Sequence, residues 1–252
     1  MLAESERFFG VEDLDTFNVM DDLAWIYLFQ GRYSDAEPLL HRVLQLGSKH
    51  RDTLSSMYRL AVVYRHQDRY DDAEDLLKPT LLIQERQFGS EDPDTLRTMY
   101  ELARVYLSQQ RCGDAEFMFK RVLSVQTKIF GSEDAETLDT MHSLARVYDA
   151  QHRYDDAEKL FTQVLLETEK MYGSEHPETL TTKHHLARVY FAQSRSLEAA
   201  PLLVHVLARQ EEILGDSHPY TQDTIDLLAC VYEDLGRSAD AAALRQRLVP
   251  SS

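Results

Sequence analysis

Five threonines, Thr53, Thr95, Thr137, Thr179 and Thr221, stand 42 residues apart. Around them the chain repeats itself. It reads GSEDPDTLRTMYELARVY from Gly89, GSEDAETLDTMHSLARVY from Gly131 and GSEHPETLTTKHHLARVY from Gly173. Four equal steps with this local identity do not arise by chance. A period of roughly 20–50 residues marks a solenoid, in which each module buries its apolar face against the next.

Each period reads as two helices. Leu96, Met99, Leu102, Ala103 and Tyr106 recur at helical spacing and make one apolar face of a first helix, A. Asp92 can cap its free N–H groups, and Pro93 then sits where a missing N–H costs nothing. A short break at Gln109–Arg111 precedes a second helix, B. Helix B opens with YDDAE at Tyr70–Glu74 and Tyr154–Glu158, its acids in the turn that the macrodipole favours. Gly89, Gly131, Gly173 and Gly215 follow it, each suited to a left-handed C-cap. Much of the negative charge thereby marks helix starts.

The module before these is shorter. Thr16 lies 37 residues ahead of Thr53, and the shortfall falls between Tyr33 and Gly47, in the first helix B. Residues 2–10, LAESERFFG, match the end of a helix B such as LIQERQFG at Leu82–Gly89, so the chain is expected to open mid-repeat in a longer protein. In the last helix B, Arg245 replaces the Leu77, Phe119, Phe161 or Leu203 of other modules, as a capping end would. The expected organisation is all-α. Residues 1–10 end an upstream helix B, six antiparallel hairpins occupy 11–46, 47–88, 89–130, 131–172, 173–214 and 215–249, and 250–252 form a tail.

Composition agrees. Only 9 Gly and 7 Pro disfavour a many-stranded fold, and a formal charge of −16 disfavours nucleic acid and anionic membrane as partners. Cys112 and Cys230 provide no disulfide framework or metal-ligand spacing, and no apolar run would cross a membrane. A cytoplasmic setting is expected.

Small and large residues alternate as in tetratricopeptide repeats: Leu102–Ala103, Tyr106, Ala115 and Phe119, then Leu144–Ala145, Tyr148, Ala157 and Phe161. That family's usual unit is about 34 residues. The longer period, with the linkers GSEHPET at Gly173–Thr179 and GDSHPYT at Gly215–Thr221, resembles the kinesin light chain subclass. It is also similar to the repeats of fungal NOD-like receptor proteins. Kinesin light chains carry LNNLA in helix A. Here the paired asparagines are replaced by Tyr58–Arg59, Tyr100–Glu101, His142–Ser143 and His184–His185, which points to the fungal receptors as nearer relatives.

The resemblance implies a right-handed solenoid whose A helices line a concave groove that binds a protein or peptide. On that geometry Arg104, Arg146 and Arg188 form a ladder beside Tyr58, Tyr100, His142 and His184, with Arg59 and Trp25 as further contacts. The groove is expected to be basic in its middle. It should be acidic at its ends, through Asp21 and Asp22 at one and Asp223, Asp226, Glu233 and Asp234 at the other. An extended peptide with acidic side chains or a terminal carboxylate would suit such a ladder. The competing reading is structural, with the arginines paired internally to acids such as Glu101 or Asp149. Self-association through the terminal hairpins is a second use of such an array, and cargo binding of the kinesin type a third.

His184 and His185 point about 100° apart on a helix and make no metal site with each other. They read as ordinary groove or surface histidines, and His176 and His218 as capping residues of the linkers. Pro79 is expected to kink its helix. No phosphate loop, nucleophile elbow or dinucleotide fingerprint occurs. The carboxylates recur with the repeat, whereas active-site groups break symmetry. No catalysis and no cofactor are expected.

Overall fold

A computed structural model describes residue 8 and residues 14–45 and 51–248. Among the described residues there are twelve helices and no strand. They are α1 (Leu14–Phe29), α2 (Tyr33–Gln45), α3 (Arg51–His66), α4 (Tyr70–Gln87), α5 (Pro93–Ser108), α6 (Cys112–Ile129), α7 (Ala135–Ala150), α8 (Tyr154–Tyr172), α9 (Pro177–Ala192), α10 (Ser196–Leu214), α11 (Pro219–Asp234) and α12 (Ser238–Arg245). The expectations for residues 2–7, 9, 10 and 250–252, and for a helix end at Gly47, fall outside the described residues.

Packing divides the chain into two units, residues 1–125 and 126–252, with the division inside α6. Successive helices pack on one another from α1 to α5 in the first unit and from α7 to α12 in the second. The odd-numbered helices also touch one another: α1 meets α3 and α3 meets α5 in the first unit, and α7 meets α9 and α9 meets α11 in the second. The odd helices therefore form the inner side of each unit.

Small residues permit this approach. Ala61 and Ala103 in the first unit, and Ala145, Ala187 and Ala229 in the second, have no exposed surface, and neither do their helix-B counterparts Ala73, Ala157 and Ala199. Leu77, Phe119, Phe161 and Leu203 fill the space between, all fully buried. Arg245, at the same register in α12, is exposed and pairs with Glu233. The repeating threonine is buried from Thr95 onward, and Thr179 Oγ1 donates to the carbonyl of Gly173 at 2.9 Å.

The helix starts follow the sequence logic. Asp92 accepts from the N–H groups of Asp94 (3.0 Å) and Thr95 (3.4 Å), and Asp134 does the same for Glu136 and Thr137. His176 Nδ1 and His218 Nδ1 accept from Glu178 and Tyr220, so an imidazole serves where the earlier linkers use a carboxylate.

The helix ends depart from expectation. Gly173 has φ 89° and ψ 169°, and Gly215 has φ 82° and ψ 164°. These lie outside the left-handed helical region of a conventional C-cap, in territory essentially reserved for glycine. The left-handed turn occurs instead between A and B. Asp68, Gln110, His152 and Ser194 have φ of 59–60°, and Gly31 and Gly236 hold the corresponding places.

Candidate functional site

The turn between A and B carries an arginine that sequence reasoning alone does not single out. Arg32, Arg69 and Arg111 in the first unit, and Arg153, Arg195 and Arg237 in the second, each immediately precede a helix B. Each guanidinium lies over a tyrosine of the preceding helix, 3.9–4.3 Å from the ring centroid in every case. Each also pairs with an acid three residues on, such as Asp72, Asp114 or Glu198. Some reach a neighbouring module: Arg69 donates to Glu37 (2.8 Å), Arg111 to Glu74 (2.9 Å) and Arg195 to Glu158 (2.7 Å). Burial pushes the Glu74 carboxyl up, but hydrogen bonds from Lys78, Gln109 and Arg111 outweigh this and hold it down at about 2. The signal is present in the sequence as an arginine at a constant offset from YDDAE. It is a structural ladder, stapling turns together.

Seven of the nine residues expected to line a groove fall into two clefts, one in each unit. In the first unit Trp25, Tyr58 and Arg59 come together with Arg97 and the buried Gln84 around a cleft of about 410 Å³. The Arg59 guanidinium lies 5.0 Å from the Trp25 ring and pairs with Asp21, which also accepts from Ser56. Tyr58 is mostly buried, and that burial raises its phenol strongly.

Tyr100 and Arg104 belong to neither cleft. Tyr100 packs edge-on against Phe119 (5.4 Å), and Arg104 Nη1 stands 3.5 Å from Glu101 Oε2. Glu101 is itself buried and pairs with Arg65.

In the second unit His142, Arg146, His184 and Arg188 come together, with His185, Gln210, Tyr220 and Asp223, around about 350 Å³. Arg188 pairs with Asp149. The rings are not freely presented. His185 stacks on Phe161 (5.7 Å, 13°), and His142 meets both His185 (5.1 Å) and Phe161 (5.3 Å) edge-on. Burial, then the nearby Arg146 and Arg188, press the His142 imidazole down to about 3. Burial and Arg188 bring His184 to about 4 against the opposing pull of Asp223, and His185 is held well below its usual value. His184 and His185 are thus half-buried groups at the edge of the core that also line this cleft.

Several acids expected at the ends of the groove have partners. Asp21, Glu233 and Asp234 are engaged with Arg59, Arg245 and Ser196. Asp223 lines the same cleft as Arg146 and Arg188. Arg104 and Arg188 meet Glu101 and Asp149, the acids of the structural reading, while both remain exposed to solvent.

Among the described residues no group of three or more His, Cys, Asp or Glu could hold a metal ion, and no helix is long and apolar enough to cross a membrane.

The sequence profile of the tetratricopeptide repeat matches residues 52–128, 118–166, 140–208 and 178–250, and a second profile of the same repeat matches residues 22–78. No curated protein matches the chain. Among solved structures it is similar to the nearly identical TPR-like repeats of a putative kinesin light chain from Podosopora anserina. That protein is 32% identical, with a TM-score of 0.67, over 79% of this chain and 95% of that one. A variant form of the same repeats is 33% identical, with a TM-score of 0.66, over 77% and 92%. At 17% identity the chain also shares the fold of NprR in complex with its cognate peptide NprX, with a TM-score of 0.72 over 92% of this chain and 65% of that one. By its repeat profile, its paired helices and these likenesses, the chain belongs to the tetratricopeptide repeat family, with kinesin light chain-like repeats.

Proposed function

We propose that this chain is a peptide-binding scaffold whose odd-numbered helices recognise a partner segment bearing carboxylates. The carrying observation is the cleft of the second unit, which Arg146 and Arg188 line together with neutral imidazoles in a chain whose net charge is −16. Guanidinium groups offer planar, paired donors suited to carboxylate oxygens. A neighbouring fold, NprR, holds a peptide, which supports the same use here. The internal pairing of Arg188 leaves this reading intact, because one acid engages only part of a five-donor group. The 42-residue unit and its GSEHPET and GDSHPYT linkers support placement in a larger signalling protein of the fungal NOD-like receptor kind.

Selection from a random peptide library tests the proposal. The wild-type chain should enrich acidic sequences. Arg146→Glu/Arg188→Glu should lose them while its melting temperature stays within a few degrees. Enrichment without acidic bias, or equal binding by the variant, overturns the proposal.

A second reading has its own observation. Trp25 is 41% exposed, Ile26 44% and Phe29 77%, an uncovered apolar group on α1. It supports self-association through the first hairpin. Sedimentation velocity should then show a dimer that Phe29→Lys abolishes; a monomer at high concentration rejects this reading.

A further inference from the structure

Neutral imidazoles beside guanidinium groups are an unusual lining for an anion site, and the hydrogen bonds around His184 indicate what they are for. Thr224 Oγ1 donates its single hydrogen to the carbonyl of Tyr220 (3.0 Å). The 3.0 Å contact from His184 Nδ1 to Thr224 Oγ1 must then be donated by the imidazole. Neutral His184 therefore carries its hydrogen on Nδ1 and its lone pair on Nε2. His142 Nε2 and His185 Nδ1 are buried without a hydrogen-bond partner, and Gln210 Oε1 in the same lining is likewise unpartnered.

We propose that this cleft takes a carboxylate between Arg146 and Arg188, and that His184 Nε2 binds one solvent proton as the carboxylate docks, so that recognition tightens on acidification. This rests on the cleft of the second unit being the peptide site. The balance is simple: an Nε2–H bond forms as hydronium or a buffer acid gives up its proton, the neutral imidazole and the carboxylate become an imidazolium–carboxylate pair, and no other covalent bond changes.

The field around His184 comes from every side. Arg188 and His185 stand on its own helix, Arg146 and His142 on α7, Asp223 on α11, while Asp149 of α7 is paired with Arg188. Asp139 and Glu178 line a smaller cavity that His142 also borders. Burial and Arg188 outweigh Asp223, so the ring is neutral at pH 7. A docked carboxylate cancels the guanidinium field and accepts from Nε2–H, which reverses that balance.

Calorimetric titration of the full chain with acetylated, amidated pentaglutamate tests this, run between pH 7 and 5.5 in two buffers of different ionisation enthalpy. Kd should fall with pH, approaching about tenfold per unit for one linked proton, with close to one proton taken up. His184→Asn keeps a donor toward Thr224; it should still bind but with a flat pH profile. A buffer-independent heat and a flat Kd in the wild type, or an unchanged slope in His184→Asn, overturns the proton uptake while leaving the peptide cleft standing. Failure of the wild type to bind, or equal binding by Arg146→Glu/Arg188→Glu, removes the cleft reading and this inference with it. Acetylated pentaglutamine with a free C-terminal carboxylate, if it binds with the same slope, assigns the same chemistry to a chain terminus.

Discussion

Arg111 Nη1 donates to both carboxylate oxygens of Glu74 at 2.9 Å, joining the turn after α5 to the start of α4. Glu74 is mostly buried and also accepts from Gln109. Glu74→Ala strands these donors and should lower the unfolding free energy by roughly 1–3 kcal/mol in urea melts. Because its carboxyl is held at about 2, the stabilisation it provides is present above the ordinary carboxylate value of 4.5. It should be lost as pH falls from there toward 2.

Glu101 and Arg104 should behave differently although they touch. Glu101 is buried and shared with the nearly buried Arg65, so Glu101→Gln leaves a guanidinium uncompensated and should cost about 3 kcal/mol. Arg104 is 38% exposed, and Arg104→Ala should cost less than about 1 kcal/mol. Thermal melts of the two variants read the difference.

Acid should begin to weaken the fold through two half-buried imidazoles. His142 and His184 have values of about 3 and 4 in the folded chain against an ordinary 6.5. The unfolded state therefore binds protons that the folded state refuses. Stability should decline as pH drops below 6.5, by up to about 1.4 kcal/mol per unit for each such ring, until the folded values are reached. His142→Phe should flatten the decline between about pH 6 and 5 in denaturant titrations. A decline of unchanged slope would reject the assignment.

The left-handed turns offer a gain. Gln110 is exposed with φ 60°, a conformation that favours glycine. Gln110→Gly should stabilise by up to about 1 kcal/mol, less the entropy glycine loses on folding, and Gly236→Ala (φ 73°) should destabilise by about the same amount in thermal melts.

Helices are legible in the sequence because burial repeats with the module. Leu102 and Ala103 return as Leu144 and Ala145, both buried, and the apolar period needs no tertiary knowledge. Caps at Asp92 and His176 are legible because they act within three residues. The clefts are legible only in part. Trp25, Tyr58 and Arg59 can be placed on equivalent helix faces by register. His185 cannot be placed in the cleft that way, because its ring turns onto Phe161, a contact set by packing across helices. The turn arginines escape for the opposite reason. Their constant offset is visible in GRYSDAE and DRYDDAE, but a charge in a turn looks solvated until the tyrosine beneath it and the acid of the previous module are located in space.

The backward reach of Arg69, Arg111 and Arg195 has a consequence for how such a chain lengthens. Each module arrives with a cation that fits the acid its predecessor already displays, as Arg111 fits Glu74. Duplicating a stretch of one period creates a junction whose electrostatic latch is complete at once. Growth by copying thus requires no compensating mutation at the seam.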